Sequence, residues 1–277
     1  MPIRITQVDA FTNRRFAGNP AAVCVLERPA PADAMQALAF EIGLSETAFV
    51  WPGDGGFGLR WFTPVAEVDL CGHATVATAH VLAEVGRLEG PRAHFSTKSG
   101  WLEATVEGDE VEIDLPAEVP SPVDPPGLLA ARWPVVRAAT GRFDLLVELE
   151  DEAAVRSVGP TDVELASLPY RGIAVTARAD PAAVLRGGAA PDYVLRFFAP
   201  RVGVPEDPVT GSAQCLLGPY WAVELGVSLL HAVQLSPRKG MLRVRVDATR
   251  VRVGGRASTL FKGEVVGEAA DRLTAGS

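Results

Sequence analysis

Two short passages of the chain share one pattern and contain residues that can transfer protons or bind anions. Residues 69–80 are "DLCGHATVATAH" and residues 207–218 are "DPVTGSAQCLLG", so that Cys71 in one passage stands opposite Thr210 in the other. A cysteine thiol can exchange protons near neutral pH, whereas the pKa of a threonine hydroxyl is far too high for this role. The two passages therefore differ in their chemistry.

A glycine stands before a predicted helix in both passages. The first N–H groups of a helix have no partner within the helix and lie at its positive end, so they can receive a carboxylate. A glycine also lets a ligand approach the backbone closely. We therefore expect Gly72 and Gly211, at helices that begin near His73 and Ser212, to bind an acidic substrate.

Four other side chains could take part in catalysis, but each has an ordinary structural alternative. Glu46 lies at the entrance of a predicted strand, where most glutamates are simply solvated. His73 could only begin a helix, Asp207 could form a turn with Pro208, and Ser212 could be an N-cap. A carboxyl group among apolar residues instead has a raised pKa and can accept and return a proton near neutral pH. The residues alone leave these alternatives open.

The similarity between the two passages extends over most of the chain. "LRWFTP" from Leu59 matches "LRFFAP" from Leu195, and residues 94–115 match residues 233–254. Both halves combine alternating apolar and polar residues, typical of strands, with two predicted helices. A period of about 140 residues is too long for a solenoid and indicates an ancient duplication.

The duplication predicts two similar α+β lobes. We place the N-terminal lobe at residues 1–117 and the C-terminal lobe at residues 128–270. Residues 116–127 are a Pro-rich linker, and residues 271–277 are expected to be a flexible tail. Because two lobes normally leave a cleft that can bind ligands, the site is expected there. The alternative is a duplication without a site at the junction.

Composition excludes several classes of function. The chain has 277 residues, is 48% hydrophobic and 22% charged, and has a net charge of −8, which argues against nucleic acid or an anionic membrane as a partner. No apolar run reaches the ~20 residues of a membrane-spanning helix, and the N-terminus lacks the apolar core of a signal peptide. Three scattered cysteines fit a reducing cytoplasm.

Several cofactor signals can be dismissed. "GDGGFG" at residues 53–58 satisfies the dinucleotide-binding spacing, but it lies between two predicted strands and is expected to be a hairpin turn. The four histidines have no cysteine or carboxylate at the sequence spacing of metal ligands. The chain also lacks a P-loop and a G-x-S-x-G motif. We therefore expect neither a metal nor a cofactor.

Four stretches in combination resemble the phenazine-biosynthesis isomerase (PhzF-like) family. They span nearly the whole chain and are "QVDAFTNRRFAGNPAAV", "GLSETAFV", "RWFTPVAEVDLCGHAT" and "PEDPVTGSA". The resemblance implies the diaminopimelate-epimerase fold of two pseudo-symmetric lobes, each a β-sheet or barrel around a central helix. It also suggests a homodimer.

The resemblance assigns roles to the candidate residues. Glu46 matches the family's general acid/base, and His73 is expected to line the site and donate a hydrogen bond or a proton. Asp207 would contact a polar group of the substrate, Ser212 would hydrogen-bond it, and Asn19 would lie in the pocket wall. The related epimerases use one cysteine from each lobe, so Thr210 in this chain argues against the two-thiol mechanism and leaves Cys71 as a small buried hydrophobe.

These residues predict a cofactor-free isomerase. Glu46 would remove a proton from carbon in a small cyclic or unsaturated acid and return it elsewhere on the same molecule. The resemblance implies trans-2,3-dihydro-3-hydroxyanthranilate as the reference substrate. Two alternatives stay open: a racemase or epimerase of an amino or imino acid, and a protein that binds a small acid without catalysis.

Overall fold

The structure is a computed structural model that describes residues 3–159, 163–180 and 190–274. Seventeen strands lie within these ranges: β1 Ile3–Ala10, β2 Asn19–Val25, β3 Glu46–Gly53, β4 Gly56–Phe62, β5 Glu67–Val68, β6 Arg92–Thr97, β7 Gly100–Glu107, β8 Glu110–Pro116, β9 Ser121–Val123, β10 Val135–Thr140, β11 Asp144–Leu149, β12 Gly172–Arg178, β13 Tyr193–Ala199, β14 Val204–Asp207, β15 Leu229–Gln234, β16 Gly240–Val246 and β17 Arg250–Val265. The same ranges contain six α-helices: α1 Ala32–Ile42, α2 Gly72–Glu84, α3 Gly127–Ala130, α4 Glu152–Ser157, α5 Gln214–Leu225 and α6 Glu268–Thr274. The chain therefore has the predicted α+β composition.

The chain divides into two compact units. The first unit comprises Met1–Asp114 and Gly254–Ser277, and the second unit comprises Leu115–Val253. The predicted boundaries were wrong at the C-terminal side, because residues 254–270 belong to the first unit instead of the C-terminal lobe. The reason is β17, whose later residues pair with β1, with Ile3 opposite Val265.

The predicted flexible tail and linker also contain regular structure. Residues 271–274 lie in α6, and Leu273 is buried in the apolar core of the first unit. Residues 275–277 lie outside the described residues. Within the Pro-rich stretch, β9 pairs with β10, with Val123 opposite Ala138. Burial of one leucine and pairing of one short strand are contacts that composition alone does not predict.

The strands of the first unit place the predicted site residues at strand and helix ends. β2 is antiparallel to β1 and parallel to β3, with Ala21 opposite Glu46. β3 and β4 form a hairpin that closes at Gly53 and Gly56, so the predicted turn at residues 53–58 is confirmed. β4 is in turn antiparallel to β5 and parallel to β6. The helix α2 connects β5 to β6.

The second unit repeats this pairing scheme. β11 is antiparallel to β10 and parallel to β12, with Asp144 opposite Gly172. β12 is antiparallel to β13, which pairs antiparallel with β14 and parallel with β15. The helix α5 connects β14 to β15 as α2 connects β5 to β6. The predicted duplication is therefore visible in the order and direction of the strands.

The helix α2 is almost entirely buried, which its small side chains make possible. Its sequence "GHATVATAHVLAE" has alanine, threonine and valine around most of its circumference. The buried hydroxyls of Thr75 and Thr78 donate to the carbonyl oxygens of Cys71 and Ala74, each at 2.6 Å. These local bonds satisfy polar groups that would otherwise destabilise a core helix.

None of the helices within the described ranges is long and apolar enough to span a membrane.

Candidate active site

Glu46 lies where the chain leaves α1 and enters β3. Gly43 ends α1 with a φ of 66°, and its N–H donates to the carbonyl oxygen of Ala39. Glycine adopts this left-handed conformation without a steric penalty, so the chain can turn into the strand within three residues. The side chain of Glu46 is only 16% exposed. The predicted general acid/base is therefore a largely desolvated carboxyl group.

His73 is the direct partner of this carboxyl group. Its Nε2 lies 3.0 Å from Oε2 of Glu46, and its ring is buried at the first turn of α2. On the other side of the ring, Nδ2 of Asn19 lies 3.2 Å from Nδ1. Asn19 is fully buried as the first residue of β2. Three predicted site residues from two strands and one helix thus form one buried cluster.

The charge of His73 depends on its neighbours. Burial lowers the pKa of His73, but Cys71 and Glu46 raise it more, so that its pKa lies well above the usual value. We attribute the rise to the Glu46 carboxylate, because Cys71 is a neutral thiol. The Asn19 amide can hydrogen-bond both the neutral and the protonated ring of His73. Its NH2 group can donate to a neutral Nδ1, and its oxygen can accept from Nδ1–H.

Cys71 completes the cluster at the N-cap of α2. Its Sγ lies 3.6 Å from Nδ1 of His73. Burial, followed by the nearby Glu46 carboxylate, raises the pKa of Cys71, although His73 opposes this change. A buried thiol with a raised pKa stays protonated near neutral pH. This state agrees with the predicted role of Cys71 as a packing residue and not as a base.

The histidines have no cysteine or carboxylate at the sequence spacing of metal ligands, but the fold brings such groups next to His73. Ligand atoms of Glu46, Cys71 and His73 lie within 4.8 Å of one another. Sequence spacing did not show this set because β3 supplies one residue and the start of α2 the other two. A histidine, a thiol and a carboxylate are suitable zinc ligands, whereas the positive end of α2 disfavours a cation.

In the second unit, Asp207 is fixed by residues that the sequence analysis did not single out. Its Oδ2 accepts a hydrogen bond of 2.5 Å from Oγ1 of Thr210. Gln234, which is fully buried, accepts from the Thr210 N–H at 2.8 Å and donates to the Asp207 carbonyl oxygen at 2.7 Å. Thr210 thus orients the Asp207 carboxylate and occupies the position that matches Cys71.

Ser212 and Gly211 lie before α5 and not at its first turn. The N-cap of α5 is Ala213, and the helix begins at Gln214, two residues after the predicted start. Residues 211–216 form successive turns of the 3-10 type, such as the bond from the Gln214 N–H to the Gly211 carbonyl oxygen. The predicted start near Ser212 is therefore two residues early, and the alternative of Ser212 as the N-cap was wrong.

Gly72 lies at the start of a helix, as predicted. It is the first residue of α2, and Cys71 makes no capping hydrogen bond through its side chain. The first N–H groups of α2 therefore lie beside the Glu46–His73 pair with their partial positive charge. This end of the helix can receive an anion next to the Glu46 carboxylate and the His73 ring.

The sequence analysis missed one cation near the predicted residues. Nη2 of Arg171 lies 3.4 Å from Oγ of Ser212, and Arg171 also pairs with the buried Asp144. An arginine directly before a strand that matches β3 was the available signal. The structure thus brings together Glu46, His73 and Asn19 in the first unit. Asp207 and Ser212 share one loop of the second unit, and the roles of all five in catalysis stay predictions.

Comparison with known proteins identifies the family. The family described as "Phenazine biosynthesis-like protein" (PhzC/PhzF) matches residues 8–263. The chain belongs to this family. One PhzC/PhzF relative, named an uncharacterized isomerase of Pseudomonas aeruginosa, is 46% identical over 264 residues, which cover 95% of this chain and 98% of that protein.

Solved structures confirm the fold of a PhzC/PhzF protein. A PhzF-family crystal structure from Enterococcus faecalis has a TM-score of 0.89 at 39% identity and covers 96% of this chain and 100% of that one. A probable proline racemase from Agrobacterium radiobacter has a TM-score of 0.64 at 11% identity, covering 95% and 93%, and shows the fold alone. The expected α+β epimerase-type fold is confirmed, and the comparisons support an isomerase-type function.

Proposed function

We propose that the chain is a cofactor-independent isomerase that moves a proton within a small carboxylic acid. The observation that supports this proposal is the buried contact of 3.0 Å between Glu46 and His73, with Asn19 on the far side of the ring. The reaction would resemble the isomerisation of trans-2,3-dihydro-3-hydroxyanthranilate. The substrate is expected to be a small anionic cyclic acid, and neither a metal nor a cofactor takes part.

In the proposed reaction, the Glu46 carboxylate accepts a proton from a carbon of the substrate. The electron pair of the broken C–H bond is delocalised into the adjacent unsaturated system, and the Glu46 carboxylic acid then returns the proton to a different carbon. His73 stabilises the charge of Glu46 through their contact and helps to hold the proton between the two steps. Buried carboxyl groups with a coupled histidine are suited to such general acid/base catalysis.

The other predicted residues would bind the substrate. The N–H groups at Gly72 would receive an anionic group of the substrate, and Asp207, oriented by Thr210, would hold an amino or hydroxyl substituent. Gly211 and Ser212 would contribute polar contacts from the loop before α5. A homodimer is expected by resemblance, and a cytoplasmic location from the three scattered cysteines; both stay proposals.

A racemase with two thiols is the alternative within this fold, but the second unit does not favour it. The Thr210 hydroxyl donates its proton to Asp207 and also accepts a hydrogen bond from Gln234 at 3.2 Å. A hydroxyl in this position orients a carboxylate and does not replace a catalytic thiol. Incubation of amino acids in heavy water would detect a racemase as deuterium at the α-carbon, and we expect none.

The proposal is tested by Glu46→Gln assayed with trans-2,3-dihydro-3-hydroxyanthranilate and related unsaturated acids. Glutamine preserves the shape of the side chain but cannot accept the proton, so we expect turnover to fall by about 10²- to 10⁴-fold. Glu84→Gln is the matched control, since Glu84 lies at the other end of α2 and pairs with Lys262. Full activity of Glu46→Gln on a substrate that the wild type converts would refute the assignment of the base.

A further inference from the structure

The repeated strand scheme places unlike groups near the starts of two matching strands, β3 and β12. Glu46 begins β3, and its carboxylate contacts His73, which lies two residues after Cys71. In the second unit, Arg171 directly precedes β12, and its guanidinium contacts Ser212, which lies two residues after Thr210. In the first unit the carboxylate of Glu46 thus contacts His73. In the second unit the guanidinium of Arg171 contacts Ser212, which matches His73.

Asp144 and Phe143 hold the Arg171 guanidinium in one orientation. Nε and Nη2 of Arg171 donate to the two carboxylate oxygens of Asp144, whose side chain is only 6% exposed. The Arg171 N–H donates to the Phe143 carbonyl oxygen at 2.8 Å, and the Phe143 ring centre lies 5.6 Å from the guanidinium carbon. A planar guanidinium fixed by two parallel hydrogen bonds is preorganised for a further planar partner.

Arg171 keeps donors for such a partner. A guanidinium has five N–H donors, and the contacts with Asp144 and Ser212 use only those on Nε and Nη2. The side chain is 36% exposed, and Nη1 makes none of the hydrogen bonds that Arg171 forms with the described residues. Ser212 accepts from Arg171 at 3.4 Å, so its own hydroxyl can donate to another acceptor.

We propose that Arg171 and Ser212 bind the carboxylate group of the substrate, with Asp144 as the residue that orients Arg171. This inference rests on the proposed function and specifies that residues of the second unit bind the carboxylate group of the substrate. An acid approaches a chain whose net charge is −8, so a local cation would strengthen its binding beyond what the N–H groups at Gly72 supply. Arginine is well suited to the two oxygens of a carboxylate and much less to a neutral carboxamide.

The test compares anthranilate with anthranilamide, which has nearly the same shape but no charge. Calorimetric titration gives the dissociation constant of each probe, and their ratio measures the preference for the carboxylate. We expect the wild type to prefer anthranilate and Arg171→Gln to reduce this preference by about tenfold or more, since a charge-assisted hydrogen bond is lost. Arg142→Gln is the matched control, because exposed Arg142 stacks on the same Phe143 ring at 4.8 Å.

Two further variants separate binding from folding. Arg171→Gln leaves the buried Asp144 carboxylate without its cation, which destabilises the protein, so the double variant Asp144→Asn/Arg171→Gln is titrated as well. It should show the same loss of preference, and Arg171→Lys should keep part of it. Because the preference is measured by binding at equilibrium without turnover, the result does not depend on whether Glu46 is the base.

Two outcomes would overturn the inference. The first is an unchanged preference in Arg171→Gln, which would make the Arg171–Asp144 pair purely structural. The second is a wild-type protein that binds both probes equally or binds neither. In either case a loss of turnover in Glu46→Gln could still be observed, so the failure of this inference would be distinct from a failure of the proposed function.

Discussion

At the scale of single residues, the account depends on the contact between His73 and Glu46. Both residues are assigned from a resemblance to known motifs, and their mutual distance of 3.0 Å could not be derived from positions 27 residues apart in the sequence. Asn19 is the least specific of the predicted residues, yet it contacts the ring directly. Pairwise contacts of this kind depend on strand register, which the sequence does not specify to within one residue.

Substitution of His73 by glutamine should remove one titrating group from the rate profile. The raised pKa of His73 means that the protonated ring persists above pH 6.5, its usual value. We expect the wild-type profile of kcat/KM to show an apparent pKa above that value, belonging to the coupled pair. In His73→Gln this titration should vanish, and kcat should fall by about 10²- to 10⁴-fold.

The raised pKa of His73 also predicts how the free energy of unfolding changes with pH. A group whose folded pKa is raised contributes stability that is complete below its unfolded pKa and is lost as the pH rises through the folded value. The difference in unfolding free energy between the wild type and His73→Gln should therefore shrink as the pH rises above about 6.5. His94→Gln is the control, since exposed His94 lies 3.7 Å from Glu103. An equal pH dependence in both variants would contradict the assignment.

Thr210 gives a second prediction at this scale. Thr210→Val removes the hydrogen bond of 2.5 Å to Asp207, so the carboxylate loses its fixed orientation. We expect KM to rise by about tenfold, as for the loss of one hydrogen bond to a charged group, with a smaller change in kcat. Thr210→Ser should restore KM.

Thr176→Val serves as the control for Thr210→Val. Thr176 is fully buried in the second unit and donates to the Val194 carbonyl oxygen at 2.7 Å. Its loss should lower the melting temperature with little change in KM. Similar KM values for Thr176→Val and Thr210→Val would show that the Thr210 hydroxyl acts only in folding.

At the scale of elements, short connections determine where the site residues lie. The hairpin at residues 53–58 and the start of α2 follow from glycine placement and apolar periodicity, and both were predictable. The start of α5 was not predictable, because the backbone of residues 211–216 forms hydrogen bonds of the 3-10 type, which span three residues, before the four-residue bonds of the α-helix begin. The boundary of the units was equally hidden, since the pairing of β17 with β1 joins residues far apart in sequence.

The connection between β1 and β2 should be sensitive at Gly18. This glycine has a φ of 68°, and an added Cβ would lie 2.2 Å from the Ala10 carbonyl oxygen. Gly18→Ala should therefore destabilise the protein by more than the ~1 kcal/mol expected from the backbone conformation alone. Because Asn19 follows directly, activity should fall as well.

Gly108→Ala measures the conformational penalty by itself. Gly108 has nearly the same φ, 66°, but no atom lies within 4 Å of its added Cβ. The difference in unfolding free energy between Gly18→Ala and Gly108→Ala, measured by denaturant titration, then reports the steric overlap. Equal destabilisation of the two variants would show that the loop moves freely at Gly18.

At the scale of the whole molecule, the duplication was the most predictable property. Matching passages in the sequence correspond to matching strand pairs, such as β2 with β3 and β11 with β12. What sequence matching does not reveal is how each unit uses its copy. The first unit has Glu46 at the start of β3, whereas the second has Gly172 there with Arg171 one residue before it. Cys71 of the first unit matches Thr210 of the second. These substitutions give each copy its own chemistry on a common framework.

Removal of metal ions tests whether the chain needs an ion. We expect dialysis against EDTA to leave turnover unchanged, because the proposed proton transfer uses only Glu46 and His73. A loss that zinc restores would instead show that Glu46, Cys71 and His73 bind an ion. In that case zinc should fail to restore Cys71→Ala but should restore Cys24→Ala, since Cys24 is buried elsewhere in the core of the first unit.

The most direct measurement follows a deuterium atom from carbon to carbon. A substrate with deuterium at the reacting C–H bond is converted in ordinary water, and the product is analysed by NMR and mass spectrometry. The account predicts a primary isotope effect and part of the label at the new carbon in the wild type, with turnover nearly abolished in Glu46→Gln. Label transfer at the wild-type rate in Glu46→Gln would contradict it.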